Sequence, residues 1–317
     1  MRNDSPGADH GAPLTHLARP AAPALLVEST DHVSLAVHDL GAVPLDGGPG
    51  TSRPILLAHA TGFHGLVWEP LARHLLGFHA WAPDLRGHGA SSAPTGRGMD
   101  WHGFADDVLA VVDALHAGGM VEGPLVAAGH SKGGAALLLA EQRRPGTFAA
   151  LYLYEPVVFP ESATPIVGPN PMAQGARRRR PTFDSRDQAF DNYASKPPLS
   201  MLDPEALRAY VDHGLVDLPD GRVELACPPE IEAQVFENAH RNQAFAHLAE
   251  VACPVTVAAG VDGGPDGGFG PGAMAGAIAE ALPRGRLDLY PDLGHFGPLE
   301  APARIAAAIA EAVTPPA

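Results

Sequence analysis

Six consecutive residues, Gly129, His130, Ser131, Lys132, Gly133 and Gly134, constrain this chain more than any other feature. They stand between an apolar run, residues 124–128, and a helix-forming run, residues 135–142. A serine with a glycine two positions away on each side, entered from a strand and left by a helix, predicts a sharp turn in which the serine backbone is strained. Bulk two residues before or after the serine would collide with the neighbouring strand or helix, so Gly129 and Gly133 meet a steric demand.

The rest of the chain alternates strand-like and helical stretches. Residues 24–28, 33–38, 54–58, 80–83 and 125–130 read as strands, and 67–76 and 104–116 as helices. Such alternation predicts an α/β fold built on a mostly parallel, doubly wound sheet with helices on both faces. Phe104, Val108, Val111, Val112 and Leu115 recur at helical spacing and give the second helix one apolar stripe to lay on the sheet. Gly118 and Gly119 end it.

The helix after the turn stops at Pro145 and Gly146, and residues 149–154 form a further strand. From 158 to 250 the pattern becomes polar, Pro-rich and predominantly helical, with helices predicted over 186–194, 204–213 and 229–248. This stretch reads as a helical cap inserted into a core made of residues 23–157 and 251–317. A strand over 254–259, a Gly-rich loop, a helix over 273–282, a strand over 286–290 and a last helix begun by Pro302 complete the core.

Composition narrows the function classes. Lys plus Arg number 21 against 36 Asp plus Glu, a net charge of −15, and such a surface repels phosphate backbones and anionic lipid. Nucleic acid and membrane surfaces are therefore not the expected partners. No apolar run reaches the roughly 18 residues of a membrane span. Residues 1–22 carry Pro6, Pro13 and Pro20 and no apolar segment of signal-peptide length, so they are expected to be a disordered tail. Cys227 and Cys253 fit neither a zinc site nor a disulfide framework and are expected to be reduced, which points to a soluble cytoplasmic protein. His59 and His64 share a loop without an accompanying carboxylate cluster, and no GxGxxG follows a strand, so neither a metal nor a nucleotide cofactor is expected.

Four motifs acquire meaning together: His59, Ala60 and Thr61 with Trp68; Asp84 to Gly89, reading DLRGHG; the serine turn; and Gly294, His295 and Phe296. In this order and spacing, over roughly residues 24–314, the chain resembles an α/β-hydrolase of the capped type. The resemblance implies the α/β-hydrolase fold and nucleophilic chemistry at Ser131. A serine hydroxyl is a poor nucleophile at neutral pH and needs a base to take its proton, a role that falls to His295. A carboxylate must orient that imidazole, and two positions compete. Glu155 ends the strand after the serine turn, and residues 155–160 resemble the corresponding stretch of haloalkane dehalogenases, where the acid sits at that strand end. Asp262, with Asp266 beyond it, follows strand 254–259, where most hydrolases of this fold carry theirs. Three residues after Gly260 stands Gly263 rather than the usual aspartate, which puts Glu155 ahead.

By the same resemblance the amides of Thr61 and Lys132 are the oxyanion-hole donors, with Ala60 replacing the usual glycine of the loop. Trp68, His59, Arg86 and His88 are read as packing and bracing residues, and Arg177 to Arg180 as a solvated face or a set of ion pairs. The implied activity is a cofactor-free serine hydrolase that cleaves a small or medium carboxylic ester or lactone through an acyl-enzyme. Carbon–carbon bond hydrolysis or cofactor-free haloperoxidase chemistry with the same triad, and a non-catalytic ligand receptor on the same fold, are the alternatives. A dehalogenase is disfavoured, because its nucleophile would be an aspartate where Ser131 stands.

Overall fold

The computed structural model describes residues 22–45, 52–95, 98–160, 168–260 and 270–314. Residues 1–21 of the expected tail, and both Asp262 and Asp266, lie outside the described residues. In chain order the first half holds β1 (Leu25–Glu28), β2 (Ser34–Val43), β3 (Arg53–Ala58), α1 (Glu69–Ala72), β4 (Phe78–Pro83), α2 (Trp101–Ala117), β5 (Leu125–His130), α3 (Lys132–Arg143) and β6 (Phe148–Tyr154). The last stretch holds β10 (Val255–Gly260), α8 (Ala275–Ala281), β11 (Gly285–Tyr290), α9 (Gly297–Glu300) and α10 (Pro302–Val313). Between β6 and β10 lie α4 (Pro171–Arg177), β7 (Thr182–Phe183), α5 (Arg186–Ala194), α6 (Pro204–His213), β8 (Leu215–Asp217), β9 (Val223–Leu225) and α7 (Pro229–Asn238).

The main sheet has eight strands in the order β1-β2-β4-β3-β5-β6-β10-β11. The β1–β2 and β2–β4 pairs are antiparallel, and every later pair is parallel. All six residues of β5 are buried, because the middle of a parallel sheet is covered on both faces and its strands read as continuous apolar runs. Phe104, Val108, Val111, Val112 and Leu115 of α2 are buried as their spacing predicts, in one core with Leu137 of α3 and Ile278 of α8. Leu71 of α1 and Ile305 and Ile309 of α10 cover the opposite face. Each such side chain taken out of water contributes about 1.5–3 kcal/mol.

Several predicted elements change length for local reasons. The expected helix over 67–76 is a 3-10 turn, Gly65–Trp68, followed by the single turn of α1. The chain then continues in three-residue turns, with the amides of His74 and Leu75 bonded to the carbonyls of Leu71 and Ala72. The expected helix over 229–248 stops at Asn238. Gln243 takes a left-handed backbone at φ 54°, and the Asn242 amide group donates to the carbonyls of Val157 and Ala239, both at 2.8 Å, in place of continuing the helix. The predicted helices over 186–194 and 204–213 are α5 and α6, capped by the side chains of Ser185 and Asp203, which accept from amides of the first turn. A three-stranded antiparallel sheet, β7-β9-β8, joins these helices. Its strands of two or three residues are too short to leave an alternating pattern in the sequence.

Parallel pairing from β4 to β11 brings the loops after β3, β4, β5, β6 and β11 to one edge of the sheet, where open α/β sheets bind their ligands.

Candidate active site

Ser131 sits between β5 and α3 at φ 55° and ψ −115°, a left-handed φ that a side chain other than glycine rarely adopts. Two backbone bonds hold it there: its amide donates to the Tyr154 carbonyl at 2.9 Å, and its carbonyl accepts from the Val157 amide at 3.2 Å. The flanking glycines are required by contact. A Cβ on Gly129 would lie 2.7 Å from the Gly134 nitrogen, and one on Gly133 would lie 2.1 Å from the Ala58 carbonyl oxygen.

His295 follows β11 in the loop that leads to α9. Its Nδ1 lies 2.6 Å from Glu155 Oε2, so Nδ1–H donates to the carboxylate. The other Glu155 oxygen accepts from the Gly260 amide at 3.0 Å, and the residue is 1% exposed. Glu155 also has a positive φ, 44°, with its own amide bonded to the Ala258 carbonyl at 2.8 Å. The loop around His295 is braced by Glu300, whose carboxylate accepts from the amides of Gly294 at 2.9 Å and Phe296 at 3.2 Å. Tyr154 donates its hydroxyl to the Gly294 carbonyl at 2.8 Å.

His130 joins this loop to the serine turn. Its Nε2 donates to the His295 carbonyl at 2.7 Å, and the two imidazole centroids lie 5.0 Å apart. Burial pushes the His130 pKa well down, which keeps it neutral beside the His295 imidazole. The structure thus joins Glu155 to His295 directly and brings His295 against the residue that precedes Ser131.

Thr61 lies in the turn after β3. The carbonyl of Ala60, in the same peptide unit as the Thr61 amide, is held by His59 Nδ1 at 2.7 Å and by the Phe63 amide at 3.3 Å. Fixing that carbonyl fixes the plane and hence the direction of the Thr61 N–H. His59 Nε2 accepts from the Leu85 amide at 3.0 Å, so His59 braces two loops at once. The tight approach of Gly133 to Ala58 sets this loop beside the start of α3, where Lys132 offers its amide at the positive end of the helix. Neither the Thr61 nor the Lys132 amide donates to a protein acceptor among the described residues.

The Lys132 side chain is fully buried, with Nζ 3.3 Å from His88 Nε2 and 4.7 Å from the centre of the Phe104 ring. Burial lowers its pKa to about 7 and holds His59 and His88 well below the ordinary histidine value, with Lys132 itself adding to both. Arg86 braces as expected: its guanidinium makes two bonds to Asp107, at 2.9 and 2.7 Å, and reaches Asp31 at 3.1 Å. Two of the four arginines in the run form ion pairs, and Arg180 instead bonds the Thr182 carbonyl and the Gln188 side chain. Arg177 pairs with Glu230 and Glu237 on the surface, and Arg179 with Glu232 beneath it.

Sequence reasoning did not single out His130, Tyr154, Glu300 or Glu232. Only His130 left a signal, its place inside the glycine turn.

A mostly parallel sheet that bears a strained serine turn after its central strand, with helices on both faces, is the α/β-hydrolase fold. The chain belongs to the alpha/beta hydrolase family, whose sequence pattern matches residues 55–308. Over 177 residues it is 33% identical to lipase LipV of Mycobacterium tuberculosis, covering 55% of this chain and 62% of that relative. Over 122 residues it is 40% identical to human monoglyceride lipase, covering 36% of this chain and 39% of the relative. The chain therefore spans less than two thirds of the length of these curated relatives. Among solved structures, the peroxisomal alpha-beta-hydrolase Lpx1 of Saccharomyces cerevisiae superposes with a TM-score of 0.71 at 19% identity, covering 95% of this chain and 88% of that one. At that identity the likeness speaks to the fold. Among the described residues no helix is long and apolar enough to cross a membrane.

Proposed function

We propose that this protein is a cofactor-free serine hydrolase that cleaves a small or medium carboxylic ester or lactone through an acyl-enzyme. The observation that carries the reading is the contact of His295 Nδ1 with Glu155 Oε2 at 2.6 Å, presented at the sheet edge that bears the strained Ser131. Ser131 attacks the acyl carbonyl while His295 Nε2 takes its proton, and Glu155 stabilises the imidazolium that forms. The Thr61 and Lys132 amides receive the oxyanion, and His295 returns the proton to the departing alcohol. Water then repeats the sequence on the acyl-enzyme. Residues 158–250 serve as a cap over this edge and shape the acyl and alcohol pockets. Lipase and monoglyceride lipase relatives favour an ester over a carbon–carbon bond as the scissile group. A cytoplasmic setting is part of the reading, supported by the buried, unpaired Cys227 and Cys253. The net charge of −15 favours a small-molecule substrate over nucleic acid.

The test compares wild type with Ser131→Ala on p-nitrophenyl acetate, p-nitrophenyl butyrate and a monoacylglycerol. Turnover is expected to vanish in the variant, and a fluorophosphonate is expected to label the wild type at Ser131. Equal rates in the two proteins, or no label at that serine, end the proposal.

A further inference from the structure

Resting on the function proposed above, we infer that Glu232, locked by Arg179, is a positioning residue for the loop that carries the Thr61 oxyanion donor. The segment between β6 and β10 is thereby coupled to the chemistry. Gly62, next to Thr61, has a left-handed φ of 79°, and a Cβ there would lie 2.9 Å from Glu232 Oε1 and 3.3 Å from Arg179 Nη1. The three atoms nearest to that point all belong to this ion pair, so the carboxylate and the guanidinium form the wall against which the loop backbone rests. On the core side the loop is held by His59 and Phe63, both bonded to the Ala60 carbonyl.

The pair itself is fixed from several directions. Glu232 belongs to α7 and Arg179 follows α4, and the two are joined by a hydrogen bond from Nη1 to Oε2. Arg179 Nη2 donates to the hydroxyl of Tyr210 in α6 at 2.5 Å and approaches that of Tyr193 in α5 at 3.4 Å. One guanidinium, carried just past the end of α4, thus ties α5, α6 and α7 together. Phe63, one residue past Gly62, packs on the Tyr210 ring at 4.9 Å and on Phe296, the neighbour of His295, at 5.6 Å. Glu232 is 7% exposed. With its carboxylate buried and its guanidinium half-buried, the pair is a poor way to gain stability alone, because desolvation offsets much of its attraction, whereas a rigid charged wall suits a loop that must not move. Arg177, two residues away, makes the opposite kind of pair, with Glu230 and Glu237 on the surface.

Glu232 has no place in the reaction sequence proposed above, so its effect should appear in the oxyanion geometry and not in ground-state binding. Loss of one oxyanion donor costs about 10²–10³ in kcat, and a loosened donor a fraction of that. For Glu232→Ala on p-nitrophenyl acetate, kcat is expected to fall about tenfold with KM within about twofold, and a tetrahedral boronate inhibitor to weaken by the same factor as kcat/KM. Glu232→Gln, which keeps the volume, is expected to recover part of the loss. Hydrogen exchange in the peptide spanning residues 59–64 is expected to quicken in Glu232→Ala. If that variant does not fold, Glu232→Gln and Tyr210→Phe carry the same comparison. Folded variants that keep wild-type kcat, boronate affinity and exchange overturn the inference, as does a rise in KM at constant kcat, which would mean contact with substrate. Those outcomes leave the hydrolase proposal standing. Equal turnover by wild type and Ser131→Ala defeats that proposal and the inference with it.

Discussion

Ser131 at φ 55° and Glu155 at φ 44° are both non-glycine residues held in the left-handed region, at the ends of adjacent strands. Strain of this kind costs on the order of 1–3 kcal/mol per residue and persists where surrounding bonds over-determine it. Here those bonds are the amide contacts to Tyr154 and Ala258. With Glu155 bonded to His295, Glu155→Gln is expected to lower kcat by about 10²-fold or more, and Asp262→Asn by less than about twofold. Steady-state kinetics on one ester decides between them, and a larger loss in Asp262→Asn would move the acid to that position. Lys132 gives a pH signature. Its folded pKa of about 7 lies below the ordinary 10.5, and the groups acting on it are His59, His88, Asp84, Asp107, Cys227 and Glu232. Below about pH 7 folded and unfolded chains both carry the proton and the burial penalty is fully present; between about 7 and 10.5 only the unfolded chain carries it, so stability rises with pH. Lys132→Met is therefore expected to be more stable than wild type near pH 6. Its advantage should shrink by up to about 1.4 kcal/mol per pH unit above pH 7, as read by urea denaturation across that range.

At the scale of elements, the serine turn works because β3, β5 and α3 approach more closely than any side chain allows. Gly133→Ala places a carbon 2.1 Å from the Ala58 carbonyl oxygen, a backbone atom that cannot rotate away. The expected cost is about 3 kcal/mol, the upper end for overpacking, together with loss of activity, because the strain falls on the turn and on the Thr61 loop. A variant with wild-type denaturation midpoint and rate would show that the two elements have room to part. The sequence marked this contact through its glycines, and marked α2 through its apolar stripe. It did not mark the short sheet β7-β9-β8, nor the end of α7 at Asn238, beyond which the Asn242 amide satisfies the Val157 carbonyl 85 positions away. Patterns along the chain report local periodicity and are silent about partners that distant.

For the molecule as a whole, Arg86 is a central tie. Its guanidinium, 1% exposed, joins the loop after β4 to Asp107 of α2 and to Asp31 near the amino-terminal strands. Asp107→Ala leaves a buried cation half-paired and is expected to cost about 3–5 kcal/mol by calorimetry. Combining Arg86→Met with Asp107→Leu is expected to cost less than the sum of the single changes, and strict additivity would show that the pair is not coupled.

The sequence by itself determined the alternating architecture, the strained turn at Ser131, the loop that delivers His295 and the loop that carries Thr61, because each is written in glycine placement, apolar period or a short contiguous motif. It put Glu155 ahead of Asp262 as the expected acid without deciding between the two strand ends. Tertiary structure alone brought the Glu155 carboxylate to 2.6 Å from His295, set His130 between that loop and the serine turn, and laid Glu232 against Gly62. Each of these contacts joins residues more than 100 positions apart, and their separation in space is fixed by strand order and helix packing, which no local pattern encodes.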